Sequence, residues 1–109
     1  MPKQLSGDSD AAGLFERLRD RYPIDSKRPV RGFGSDALTS DGRIFAALTH
    51  GKLLLKLPRS RVDELISAHV AEPFVLRERI MREWLLLPVQ RAELWSVLAE
   101  EAHRFVSGA

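Results

Sequence analysis

Between Arg31 and Pro88 the chain carries short apolar segments separated by turn-forming pairs, and that spacing limits the folds open to it. Asp41-Gly42 and His50-Gly51 punctuate the run RGFGSDALTSDGRIFAALTHGKLLLKLP. Such pairs suit tight hairpins, because glycine tolerates positive φ at little steric cost. Segments joined so closely must run antiparallel, since a parallel crossover needs a dozen residues or more. Three strands are expected: Val30 to Leu38, irregular at Gly32 and Gly34; Arg43 to Thr49, apolar on both alternations; and Lys52 to Leu57. In the third, Leu53, Leu55 and Leu57 face the core while Lys52, Leu54 and Lys56 face away.

Pro58 ends this ladder, and Ser60 is the expected cap of a helix whose buried stripe is Val62, Leu65, Ile66 and either His69 or Val70. Pro73 opens a fourth strand, Phe74 to Leu76, and Arg77-Glu78-Arg79 reverses the chain into a fifth, Met81 to Leu87. Pro88 closes it. A last helix from Val89 to Val106 buries Leu94, Trp95, Leu98, Ala102 and Phe105 and ends before Gly108. Ahead of the strands, Ala11, Phe15, Leu18 and Tyr22 form one helical face, from Ser9 or Asp10 to a stop at Pro23. Residues 1–8 read as a mobile polar tail, and 23–30 as a connector.

The predicted order is α-β-β-β-α-β-β-α in one domain over 9–109. The class is α+β: a single five-stranded antiparallel sheet with helices mainly on one face, each hiding one apolar stripe. No apolar run approaches the ~20 residues that span a bilayer. The N-terminal stretch MPKQLSGDSDAAG lacks the apolar centre of a secretory signal, so a cytoplasmic protein is expected. Cysteine is absent, which excludes disulfides, thiolate metal sites and a cysteine nucleophile.

Catalytic constellations are wanting. His50, His69 and His103 have none of the close helical spacings that pair metal ligands, so no metal and no cofactor are expected. Ser35, Asp41 and His50 can be drawn as a triad, but nothing resembles a nucleophile elbow. Gly32-Phe33-Gly34 lacks the following helix of a phosphate-binding loop and reads as a bulged strand start with Phe33 in the core.

Two surface groups remain. Arg17, Arg21, Lys27, Arg28 and Arg31 make a basic cluster of the kind phosphate contacts need, though Glu16, Asp20 and Asp25 dilute it toward ordinary mixed surface. With 17 basic against 15 acidic residues, the chain lacks the one-sided charge of a dedicated nucleic-acid binder. Lys52, Leu54, Lys56, Trp84 and Leu86 share the face of the sheet away from the core. Exposed, they suit a protein partner or self-association; covered, they are a second small core.

With the strands placed, an ordered set of residues carries a family resemblance. It comprises Arg31, Phe33 and Gly34; Asp41-Gly42 and Phe45; Gly51-Lys52-Leu53 and Lys56; Pro73-Phe74; and Met81, Trp84 and Pro88. Spread over most of 10–106, the set resembles the N-terminal domain of the TfoX (Sxy) family of bacterial competence regulators and, more distantly, the YjbR proteins. Gly32-Phe33-Gly34-Ser35 stands where members often carry Met-Phe-Gly-Gly, and leucine replaces the common aromatic of the third strand. The resemblance implies an α+β fold similar to type III secretion chaperones and no enzymatic activity. The helical second domain of the regulators has no counterpart in these residues, so a competence role is not implied. The expected function is a non-enzymatic protein-interaction or regulatory module; the alternative is an accessory nucleic-acid binder using the N-terminal cations.

Overall fold

The computed structural model describes residues 7–22 and 37–108. They form α1 (Gly7–Arg19), β1 (Ala37–Ser40), β2 (Arg43–Thr49), β3 (Lys52–Lys56), α2 (Arg59–Ser67), β4 (Glu72–Leu76), β5 (Arg79–Leu87), a 3-10 stretch (Val89–Leu94) and α3 (Trp95–Ser107). The five strands make one sheet in the order β1-β2-β3-β5-β4, with every neighbouring pair antiparallel. The α+β architecture is therefore as the pattern predicts. The expected tail through residue 6, the connector 23–30, and Gly32, Phe33, Gly34 and Ser35 lie outside the described residues; Gly7 and Asp8 belong to α1.

Turn chemistry sets the register. Asp41 and Gly42, then His50 and Gly51, all take positive φ, the backbone that two-residue hairpins need to follow strand twist. The β4–β5 turn does the same with two residues that resist it, Arg77 at 50° and Glu78 at 66°. Arg79 is already in the strand, so the reversal is one residue tighter than expected.

Leu53, Leu55 and Leu57 of β3 and its continuation, with Leu85 and Leu87 of β5, are buried in one cluster with α1, α2 and α3. Full burial stabilises each such leucine by about 1.5–3 kcal/mol over exposure. From α1, Ala11, Phe15 and Leu18 enter this core, as the spacing predicts. The β1–β2 register slips between Leu38 and Thr39: Leu38 faces Ala46, but Thr39 faces Ile44. Phe45 is the extra residue of that bulge. A bulge turns consecutive side chains toward one side, and both Phe45 and Ala46 lie fully buried in the cluster. This explains a strand that reads as apolar on both alternations.

The helix boundaries differ in three places. Ser60 does not cap α2; Pro58 precedes the first turn, and its carbonyl accepts from the Arg61 and Val62 N–H groups at 2.9 and 3.0 Å. At the other end His69 is left-handed (φ 60°), its N–H donates to Ile66, and the Val70 N–H donates back to Leu65 at 3.0 Å. That is a Schellman closure, and it makes Val70, not His69, the residue packed against the core. Finally, Val89–Leu94 is 3-10 rather than α, kinked at Arg91. The Trp95 indole N–H donates to the Pro88 carbonyl at 3.2 Å and anchors the bend. Within α3 the buried stripe runs Trp95, Leu98, Ala99, Ala102, Val106. Phe105, expected in the core, is 37% exposed, because Val106 takes the inward position of the last turn.

Candidate interaction surfaces

The register brings the predicted outer-face residues together. Leu54 lies between Ala47 and Leu86 on the neighbouring strands, and Lys56 faces Trp84. The group is not an open apolar patch, however. Leu54 is only 2% exposed and Ala47 is buried, while neither joins the main cluster, so these two form a second small core. The flanking lysines are engaged. Lys52 Nζ lies 2.6 Å from Glu72 Oε1. Lys56 Nζ sits 5.2 Å from the centre of the Trp84 ring and 3.9 Å from Glu83. Leu86 and Trp84 are half-buried.

Of the proposed nucleic-acid contacts, Arg17 and Arg21 are exposed on or just after α1, and Arg21 donates to the Ser96 hydroxyl. Lys27, Arg28 and Arg31 lie outside the described residues. Arg19 instead lies over the Phe15 ring, 5.7 Å from its centre.

The triad sketch fails on geometry. Asp41 and His50 stand at opposite ends of β2, seven residues long, hence roughly 20 Å apart at ~3.3 Å per residue. Among the described residues no three His, Asp or Glu side chains gather to hold a metal ion. His69 is exposed. His103 is half-buried, with ring centres of Tyr22 and Phe45 at 5.2 and 5.0 Å. Beside it the Tyr22 hydroxyl donates to Glu100 Oε1 at 2.9 Å, and Arg104 Nε donates to Glu100 Oε2 at 3.1 Å. Burial, then the hydrogen bond to Glu100, pushes the Tyr22 hydroxyl up to about 12. The same hydrogen bond holds the Glu100 carboxyl below its usual range. Arg61 reaches from α2 to α3 with two parallel bonds of 3.1 Å to Glu101, which with Glu64 raise its already high pKa. These contacts tie α3 to α2 and to the segment that follows α1.

Two features were not anticipated. The first is the outer end of the β4–β5 hairpin, where Val75 (53% exposed) faces Ile80 (55%) across the strands, with Leu76 (49%) beside them. Here the register jumps: Pro73 faces Leu85, but Val75 faces Ile80, so β5 arches away with extra residues. The sequence signal was present in Val75-Leu76, two adjacent apolar residues next to three charged ones and behind a proline that marks an edge strand. The second is an open groove of about 540 Å³ lined by Gly42, Arg43, Ile44, Lys56, Trp84, Phe105 and Val106. It joins the β1–β2 turn, the ends of β3 and β5 and the last turn of α3, and no local pattern foretells it.

Compared with known protein families, curated proteins and solved structures, the chain matches none of them. Among the described residues no helix is long and apolar enough to cross a membrane.

Proposed function

We propose that this chain is a non-enzymatic, cytoplasmic interaction module, akin to a TfoX N-terminal domain, that binds another protein or a second copy of itself through the β4–β5 hairpin. The observation that carries the reading is the cross-strand pair Val75–Ile80 with Leu76, three large apolar side chains about half exposed at one end of an edge hairpin. Among the described residues β4 is an outermost strand, so its outer side offers backbone N–H and C=O groups to an incoming strand. Arg77, Arg79 and Arg82 rim the apolar centre with exposed charge, the arrangement of a polar rim around a docking core. The candidate surface residues thus divide: Leu54 serves packing, and the docking role moves outward along the sheet.

Light scattering over a concentration series tests self-association: mass should rise with concentration, and Val75→Lys with Ile80→Glu should hold the chain monomeric. For a different partner, a photo-crosslinker at position 75 should yield a discrete adduct in cells, and one at Thr39 on the opposite edge should not. A monomer at every concentration, together with no adduct specific to position 75, would sink the reading. The nucleic-acid alternative rests on exposed Arg17 and Arg21. It predicts binding that weakens steeply with salt, and a gel shift blank at low salt removes it.

A further inference from the structure

We propose that the groove beside Trp84 binds a small aromatic carboxylate. This goes beyond the docking reading and rests on different residues. At about 540 Å³ the groove falls among the sizes that hold small molecules. Its apolar wall is Ile44, Trp84 and Phe105, and among the described residues its charged lining is the cations Arg43 and Lys56. Phe105 is 37% exposed and lines the groove, while its neighbour Val106 is buried, so part of Phe105 is open to a ligand there.

The cations retain capacity for an anion. Lys56 pairs with Glu83 at 3.9 Å and lies 5.2 Å from the Trp84 ring centre, but neither contact is a hydrogen bond, so its ammonium donors are open to a carboxylate. Arg43 is exposed and makes no ion pair among the described residues. A flat anion satisfies both halves of this surface: its ring covers Trp84 and Phe105, and its carboxylate turns to Lys56 and Arg43. Inorganic phosphate supplies charge without a ring to cover the aromatics. A neutral aromatic supplies the ring and forgoes the cations, and an aromatic cation is repelled.

An amide-resolved NMR titration of the full chain tests this with three probes: phenylacetate, its neutral analogue phenylethanol, and inorganic phosphate. Phenylacetate should give saturating shifts at Arg43, Ile44, Lys56, Phe105 and the Trp84 indole N–H. Phenylethanol and phosphate should each bind at least about fivefold more weakly, as expected when one charge-assisted contact or the ring contact is lost. Lys56→Gln should weaken phenylacetate about fivefold and leave phenylethanol unchanged; Arg43→Gln, on an exposed side chain, gives the same comparison should Lys56→Gln misfold. Absent or scattered shifts, equal affinity for the alcohol, or indifference to both substitutions would overturn the assignment. Val75→Lys with Ile80→Glu should leave the titration unaltered, so failure here and failure of the hairpin interface are separable.

Discussion

The β2–β3 and β4–β5 hairpins are built alike, each two antiparallel strands around a two-residue turn in left-handed backbone, yet the first buries the leucines of β3 along its length and the second leaves Val75, Leu76 and Ile80 exposed at its turn end. Position accounts for the difference. β2 and β3 lie under α1 and α3, whereas β4 is an edge strand and the outer end of β5, beside the turn, extends past the helices. The turns differ in the same sense. His50-Gly51 places glycine where positive φ is needed, while Arg77-Glu78 holds two side-chain-bearing residues there. One hairpin is built for stability; the other carries apolar surface and backbone strain that folding alone does not require.

The widest contrast is in the side chains. Leu55→Ala, at a fully buried position of β3, should cost about 2–5 kcal/mol in urea unfolding, and Ile80→Ala should stay within about 0.5 kcal/mol. Equal losses at the two sites would break the comparison. The turns come next. Gly51→Ala should destabilise by about 1 kcal/mol, because its φ of 72° disfavours a Cβ. Glu78→Gly should stabilise by up to about 1 kcal/mol, partly offset by the freedom glycine adds to the unfolded chain. The same denaturation curves measure both.

The covered side of the sheet has a titration of its own. Tyr22 is the only tyrosine of the sequence, so phenolate absorbance reads it without interference. It should titrate near 12 in the folded chain and near its ordinary value of 10.0 in denaturant. The sign follows: a raised folded pKa favours the protonated fold, so this contribution is complete below 10 and is lost as pH climbs toward 12. Glu100 runs the other way. Its folded pKa is lowered, so its contribution is present above the usual carboxylate range and is lost as pH falls through the folded value. Tyr22→Phe should remove the alkaline step and return Glu100 toward its ordinary range. The smallest effect should be at the surface. Lys52→Ala, which breaks the half-exposed pair with Glu72, should cost no more than about 1 kcal/mol, and less in high salt.

Legibility tracked locality. β2, β3 and both glycine turns follow from neighbours in sequence, because alternation and positive φ are properties of a few adjacent residues. Val70 was legible only as one of two options, since choosing it over His69 required seeing which residue turned left-handed at the helix end. Of the candidate surface residues, Lys56 and Trp84 do sit together, and Leu54 proved to be packing. The groove draws on residues from 42 to 106, and no window of sequence contains it.

By itself the amino-acid pattern determined the class, the succession of elements, the antiparallel hairpins and the inward set Leu53, Leu55 and Leu57, since each depends on steric and solvation preferences acting over a few residues. Tertiary structure decided the insertion of β5 between β3 and β4, the turning of Phe45 inward at a bulge, the burial of Leu54 and the display of Phe105, Val75 and Ile80. Whether an apolar side chain is core or surface depends on what distant segment lies over it, and that covering is a property of the assembled sheet and helices.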